Sequence, residues 1–173
     1  EPDKKDSTDT PGVLFIDLDK FTKKRVSTDK HEYKSLRFDE KGEQLPYLST
    51  PDTSKIEQKV YDIRYFNIKA DTAIVLADTS KVTLPQNWVF NENSYPYFSE
   101  NGKRIIVGSA PKQAPKDTTI VDFEVASLDI WHWKDPYLQP QQLMNLSTDL
   151  KRKYLGVIEL DNHNKFTLLS NEE

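Results

Sequence analysis

The feature of this sequence that most constrains its fold is a strand–turn–strand pattern that occurs twice, sixty positions apart, over Tyr33–Pro51 and Tyr95–Pro111. Each copy runs from a tyrosine to a phenylalanine and then has a polar turn that ends in glycine (Gly42 or Gly102), a β-branched or apolar run and a closing proline. Glycine suits such a turn because it adopts positive φ without a Cβ clash. Proline ends a strand because it cannot donate a ladder hydrogen bond. The pattern therefore predicts two similar β-hairpins.

The similarity continues downstream at a slightly longer offset, where Asp62–Phe66 resembles Asp129–Trp133. Self-similarity with a period of roughly forty to sixty residues, and about four short strands in each unit, is typical of propeller blades. A chance likeness of two ordinary hairpins is the alternative. We predict an all-β fold of antiparallel four-stranded blade-like sheets, a partial β-propeller of about two blades plus flanking hairpins.

The turn and strand signals divide the chain into five parts. They are a disordered lead-in (1–11), the outer hairpin of a preceding blade (12–29), a first blade (30–79), a second blade with a linker and an inserted loop (80–147), and the hairpin of a following blade (148–173). The third strand of the second blade is expected over Val121–Trp133, and Gln141–Leu146 is expected to close this unit. The only helical candidate is Asp149–Tyr154, which is too short to stand alone.

Composition excludes several classes of protein. The net charge is −4 and the charged residues, 30% of the chain, are well mixed, which argues against a nucleic-acid-binding protein with its basic face. The absence of cysteine excludes disulfides, thiolate metal sites and a cysteine nucleophile. No window approaches eighteen consecutive apolar residues, so we expect no membrane span. The chain begins at Glu1 rather than at methionine, and we expect it to be a piece of a longer protein or a processed product.

No catalytic arrangement emerges from the motifs. The glycines make neither a G-x-S-x-G nucleophile elbow nor a phosphate-binding loop. Ser109, His132 and Asp129 could be written as a triad, but Asp129 and His132 would lie on opposite faces of one short strand. The three histidines lack the close spacing of zinc ligands. We expect no catalytic, cofactor-binding or metal-binding residue in this chain.

The three tryptophans are the candidate contact residues. Trp88 lies in the linker between the two units, where it either packs against a blade edge or contacts a partner. Trp131 and Trp133 are two positions apart and would face the same side of a strand. They either stack against a ligand such as a carbohydrate or peptide, or fill a layer between blades.

Two stretches carry a family resemblance. They are Asn87–Gly108, which contains Y-P-Y-F-S-E-N-G-K-R-I-I, and Leu128–Leu143, which contains the more specific D-I-W-H-W-K-D-P-Y-L-Q-P-Q-Q. Together they resemble the propeller region of prolyl oligopeptidase family proteins from Bacteroides-like bacteria. The resemblance covers most of residues 12–170.

The resemblance implies a β-propeller associated with a C-terminal α/β-hydrolase domain, whose Ser, Asp and His have no counterparts in this chain. The chain would be a non-catalytic propeller fragment of a serine peptidase. This fragment would filter the peptide substrates of the parent enzyme and shape the entrance to its active site. Its partners would be the remainder of the propeller and the hydrolase domain, in a periplasmic or exported protein. Because two or three blades cannot close into a ring, we expect the chain to associate with itself through exposed strand edges or by stacking of blade faces, or else to be somewhat loosely folded.

Two other functions stay open. The chain could be a free-standing β-rich module that binds peptide or glycan through Trp88 or through Trp131 and Trp133. It could also be a purely structural interaction domain.

Overall fold

The computed structural model describes residues 11–52, 54, 58–113 and 132–170. These residues form antiparallel β-sheets and one α-helix, which confirms the prediction of an all-β class. The strands are β1 (Val13–Asp17), β2 (Thr22–Ser27), β3 (Glu32–Lys34), β4 (Gln44–Thr50), β5 (Asp62–Asn67), β6 (Ile74–Ala77), β7 (Trp88–Val89), β8 (Tyr97–Phe98), β9 (Arg104–Pro111), β10 (Tyr154–Glu159) and β11 (Lys165–Leu168), and the helix is α1 (Gln139–Asp149).

The strands of the described segments form three sheets. β1 and β2 make the N-terminal hairpin. The first sheet has the order β3-β4-β5-β6, so that each strand pairs with the next along the chain. The second sheet has the order β11-β10-β9, and both β7 and β8 pair with β9. The path β8-β9-β10-β11 is therefore a second four-stranded meander of the same topology as the first.

The central strands of the two meanders share one register. In the first sheet Gln44 lies opposite Asn67. In the second sheet Arg104, the equivalent of Gln44 in the repeat, lies opposite Glu159. β10 thus occupies in the second sheet the position that β5 occupies in the first.

The turns that precede β4 and β9 are also alike. The amide of Gly42 donates to the carbonyl of Asp39 at 3.1 Å, and the amide of Gly102 donates to the carbonyl of Ser99 at 2.8 Å. The two glycines have φ of 69° and 68°, in the left-handed region that favours glycine. The hairpin repeat expected from the sequence is thus confirmed in its turn geometry.

A rarer backbone feature recurs at the same spacing. Ser35 and Tyr95 occupy equivalent places and have φ of 57° and 39°, which is uncommon for residues other than glycine. Because the two segments share this uncommon conformation, a chance likeness of two ordinary hairpins does not explain their similarity well.

The first sheet is packed on both faces. Successive side chains of a strand point to opposite faces, and apolar side chains lie on each face of this sheet. Leu45 and Tyr47 lie on the face that contacts the N-terminal hairpin, and Leu48 lies on the face that contacts the second sheet. The cluster against the hairpin contains Val13, Val26, Leu45, Tyr47 and Phe66. The cluster between the two sheets contains Leu48, Tyr61, Ile63, Leu76, Ala77, Phe90, Ile105, Val107 and Ile158.

Equivalent faces of the two sheets point in the same direction along this stack. Leu45 and Tyr47 of the first sheet face the N-terminal hairpin. Their equivalents in the second sheet, Ile105 and Val107, face the first sheet. Each sheet therefore presents the same face to the element that precedes it, which is a head-to-tail arrangement.

The structure differs from the expected boundaries in the second unit. The hairpin of β10 and β11 was expected to belong to a following unit, but β10 pairs with β9 and completes the second sheet. Most of the strand expected at Val121–Trp133 lies outside the described residues, as does most of the lead-in. His132 and Trp133 belong to a non-strand segment.

Helix α1 is a correction to the sequence analysis, which expected a turn through Pro140, a closing segment over Gln141–Leu146 and a helix only at Asp149–Tyr154. Pro140 lies in the first turn of α1, where its missing N–H loses no helical bond and its fixed φ favours a helix. None of the helical residues is buried, so packing against the sheets does not account for this helix within the described residues.

Candidate functional site

Trp88 is part of the packing of the second sheet. It lies in β7 opposite Pro111 of β9 and is half-buried. Its ring lies 4.8 Å, centroid to centroid, from the ring of Tyr154 at the start of β10. This contact closes the sheet where the long connection 112–153 leaves and returns, and it gives Trp88 a structural partner.

Trp133 has a different setting and is 80% exposed. It lies in a turn before α1, with the ring of His132 at 5.6 Å and the Lys134 ammonium 5.0 Å from its ring centroid. The turn is held by Asp135, whose carboxylate accepts from the amide of His132 at 2.6 Å. Trp131, its expected neighbour on a strand face, lies outside the described residues.

A cleft of about 430 Å³ opens beside this turn. Its lining is His132, Trp133, Asp135, Tyr137, Leu138, Gln139 and Pro140. Sites that bind sugars or peptides commonly combine exposed aromatic and aliphatic side chains with a few polar groups. Tyr137 was not singled out from the sequence, although its place in W-K-D-P-Y, a turn-forming stretch next to tryptophan, was a usable signal.

Helix α1 extends this exposed apolar surface. Large apolar side chains on or beside it are at least half exposed: Leu138, Leu143, Met144, Leu146 and Leu150. The helix has no charged residue before Asp149. The turn and the helix together therefore expose several large apolar side chains.

The triad considered from the sequence is not assembled among the described residues. Ser109 is buried in β9, and its hydroxyl has no hydrogen-bond partner there. His132 is exposed, and its Nδ1 accepts from the amide of Lys134 at 3.1 Å. Asp129 lies outside the described residues.

A different serine and histidine do meet. Ser49 Oγ lies 2.6 Å from His31 Nδ1, and Asp62 lies opposite Ser49 in the β4–β5 ladder. Burial raises the pKa of the Asp62 carboxyl, and the nearby Asp78 raises it further. Ser49 is fully buried, so no substrate can reach its hydroxyl. The contact anchors the start of β3 on β4 and does not form a catalytic pair.

The strongest charge cluster is centred on Glu32 in β3. Its carboxylate binds the Lys59 ammonium, lies 3.0 Å from the Lys34 ammonium and accepts from the Tyr61 hydroxyl at 3.1 Å. The bond from Lys59, followed by those from Lys34 and Tyr61, lowers the pKa of Glu32 from 4.5 to about 2, against the opposing effect of burial. Glu32 is therefore a fixed anion that ties β3 to the connection before β5.

A second polar network joins the N-terminal hairpin to the first sheet. The Arg64 guanidinium lies 2.7 Å from the Asp29 carboxylate and donates to Ser27 Oγ at 3.3 Å. Ser27 Oγ in turn lies 2.8 Å from the buried Tyr47 hydroxyl. These bonds orient the hairpin on the sheet and leave no free nucleophile.

The described residues contain no group of three or more histidine, aspartate or glutamate side chains that could hold a metal ion. Nor do they include a helix long and apolar enough to cross a membrane. No protein-family model matches the sequence, and a search of curated proteins found no match.

Proposed function

We propose that this chain is a non-catalytic β-propeller section of a prolyl-oligopeptidase-like serine peptidase. In this role it gates or shapes access to a hydrolase domain whose nucleophile motif this sequence does not contain. The observation that carries the proposal is the pair of consecutive four-stranded meanders with one register and one turn geometry. Repeated antiparallel meanders of this size are the units from which propellers are built.

The direction of packing also supports a propeller. Head-to-tail contacts repeat the same rotation from one unit to the next, and such a series closes into a ring when the rotation allows it. An isologous pair of sheets would instead bring equivalent faces together. In this chain Ile105 and Val107 pack toward the first sheet, while their equivalents Leu45 and Tyr47 pack away from the second.

The arrangement of polar residues supports a non-catalytic role for the section. The sequence has no G-x-S-x-G elbow, and Ser49, which meets a histidine, is inaccessible. A peptidase that uses this section must supply its nucleophile, base and oxyanion donors from another domain.

The test begins with the coding sequence on both sides of this segment. We expect further four-stranded repeats, followed by a region with G-x-S-x-G and a later Asp and His. The complete gene product should then cleave proline-containing peptides, and the 173-residue chain alone should not. A gene product without a hydrolase region, or peptidase activity in this chain alone, would contradict the proposal.

Gating has a separate readout in the complete product. Short proline-containing peptides should be cleaved in preference to long folded substrates. Loosening the contact between the two sheets with Leu48→Ala should reduce this discrimination by size. Ile74→Ala, at an exposed position of the first sheet, is the matched control and should leave it unchanged.

A free-standing module that binds peptide or glycan is the second candidate. The exposure of Trp133 beside Tyr137 in the cleft before α1 favours it. Calorimetric titration of the chain with oligosaccharides and proline-rich peptides tests this function. Binding that Trp133→Ala abolishes and Phe21→Ala retains would support it, because Phe21 is equally exposed but remote in the sequence.

A further inference from the structure

The second sheet has one packed face and one face that the described residues leave open. Its packed face carries Ile105, Val107 and Ile158 against the first sheet. Because side chains alternate along a strand, their neighbours point the other way. We call this opposite surface the outer face, and it carries Tyr97, Ile106, Leu155 and Val157.

The outer face is apolar but uncovered by the described residues. Tyr97 lies opposite Ile106, which lies opposite Val157, so that the three form one cross-strand row. Leu155 is 38% exposed and Tyr97 is 37% exposed. Exposed apolar side chains that are contiguous, as these are, mark interaction sites more often than side chains that are scattered singly.

The first sheet shows what covers the equivalent face. Ile63 and Tyr65 of β5 are the register equivalents of Leu155 and Val157 of β10. Ile63 is fully buried against the second sheet, and Tyr65 packs at the rim of the same cluster. The surface of the second sheet that residues 11–113 and 132–170 leave uncovered, as far as they are described, is therefore the surface that in the first sheet receives the next sheet along the chain.

One substitution makes the outer face different from its equivalent. Gly108 stands where the first sheet has the buried Leu48, and the stem of Lys153 lies across it, so close that a Cβ at Gly108 would meet Lys153 carbons at 2.7–3.0 Å. The Lys153 ammonium lies 4.4 Å from the centroid of the Tyr95 ring. Partial burial lowers the pKa of Lys153. Covering this ammonium further requires an acceptor, because an unpaired buried charge is costly.

We propose that the outer face binds a further β-sheet of the same polypeptide, one that presents apolar side chains in the places of Ile105, Val107 and Ile158 and an oxygen acceptor to Lys153. The contact continues the established interface between the first and second sheets by one more unit. Of the two contacts expected from the sequence, strand edges and blade faces, it assigns the interaction to a sheet face and its occupant to the same polypeptide. The inference rests on the repeat in the proposed function and is independent of the peptidase activity.

The test measures protection of the outer face in the complete gene product relative to the 173-residue chain. The chain has no cysteine, so Leu155→Cys introduces a single thiol on the outer face, and Ile74→Cys introduces a matched thiol at an exposed position of β6. Maleimide labelling is followed by mass spectrometry of the tryptic peptide that contains each thiol. Burial under another sheet should slow labelling at position 155 by about tenfold or more, because reaction then requires local opening.

A second measurement needs no substitution. Lys153 and the exposed Lys103 are acetylated with an amine-reactive ester in both proteins, and their rates are compared. We expect Lys153, and not Lys103, to be protected in the complete product.

Protection of the outer-face groups with unchanged controls supports the proposal. Equal labelling in the two proteins, equal protection at both thiols, or a gene product without a further sheet overturns it. Protection that appears in the 173-residue chain as its concentration rises would identify a second copy as the occupant and also overturns it. Peptidase activity plays no part in this readout, so a protected face in an inactive product would contradict the proposed function alone.

Discussion

Replacing Gly102 with alanine should destabilise the protein more than the same change at Gly42, although the two turns are alike. Both glycines have φ close to 68°, and alanine in this conformation costs about 1–2 kcal/mol at either site. A Cβ at Gly42 meets nothing within 4 Å, whereas a Cβ at Gly102 lies 3.1 Å from Gln44 Nε2. That nitrogen donates to the Gly102 carbonyl at 3.2 Å and so links the two sheets.

The extra cost at Gly102 can be worked from this hydrogen bond. Displacing the Gln44 amide removes a partly buried bond worth about 0.5–1.5 kcal/mol. We therefore expect Gly102→Ala to reduce the free energy of unfolding by about 1 kcal/mol more than Gly42→Ala. With a urea m-value of about 2 kcal/mol/M, the midpoints of the two variants should differ by about 0.5 M.

The control uses a background without the bridging amide. In Gln44→Ala the two glycine substitutions should cost the same, since only the shared backbone strain remains. Equal midpoints for the two variants in the native background would refute the reasoning, as would a difference that persists after Gln44 is removed.

Three further predictions concern the packing and charge of the sheets. Ile63→Ala, in the cluster between the sheets, should lower the free energy of unfolding in urea by about 3 kcal/mol. Ile74→Ala, at a position 52% exposed, should lower it by under about 0.5 kcal/mol. Gly156→Ala should cost about 2 kcal/mol, because its Cβ would lie 2.5 Å from two ring carbons of Phe166 and force that ring to shift. Glu32 has a folded pKa of about 2, below its ordinary value of 4.5, so its contribution to the free energy of unfolding is present above about pH 4.5 and is lost as the pH falls toward 2. Glu32→Gln should flatten the stability profile in that window, and an unchanged profile would contradict the assigned ion pairs.

The hairpin repeat was predictable because its signals are local. Glycine at a positive-φ turn position and proline at a strand end are chemical requirements that show in the residues themselves, as at Gly102 and Pro111. The identity of the third strand was not predictable in this way. Asp129–Trp133 resembles β5 in amino-acid sequence, but it is β10 at Tyr154–Glu159 that pairs with β9 as β5 pairs with β4. This pairing spans the long connection 112–153 and is accompanied by packing of Ile158 between the sheets, and no local pattern reveals either feature.

The candidate site was predictable only in part. Tryptophan content pointed to Trp88 and Trp133, but exposure separates them: Trp88 packs on Tyr154, while Trp133 stands open beside the cleft. The sequence analysis did not predict helix α1, because proline ends a helix in most positions and only its location in the first turn makes Pro140 compatible with one. The Ser49–His31 contact likewise arises from strand pairing between residues distant in sequence.

The central claim is that the two sheets are equivalent meanders, and backbone NOEs of the 173-residue chain test it most directly. The account predicts cross-strand NOEs between Ile106 and Val157 and, in the equivalent places of the first sheet, between Pro46 and Tyr65. NOEs that join β9 to residues 121–133 in place of β10, or a register shifted by one residue in either pair, would contradict it.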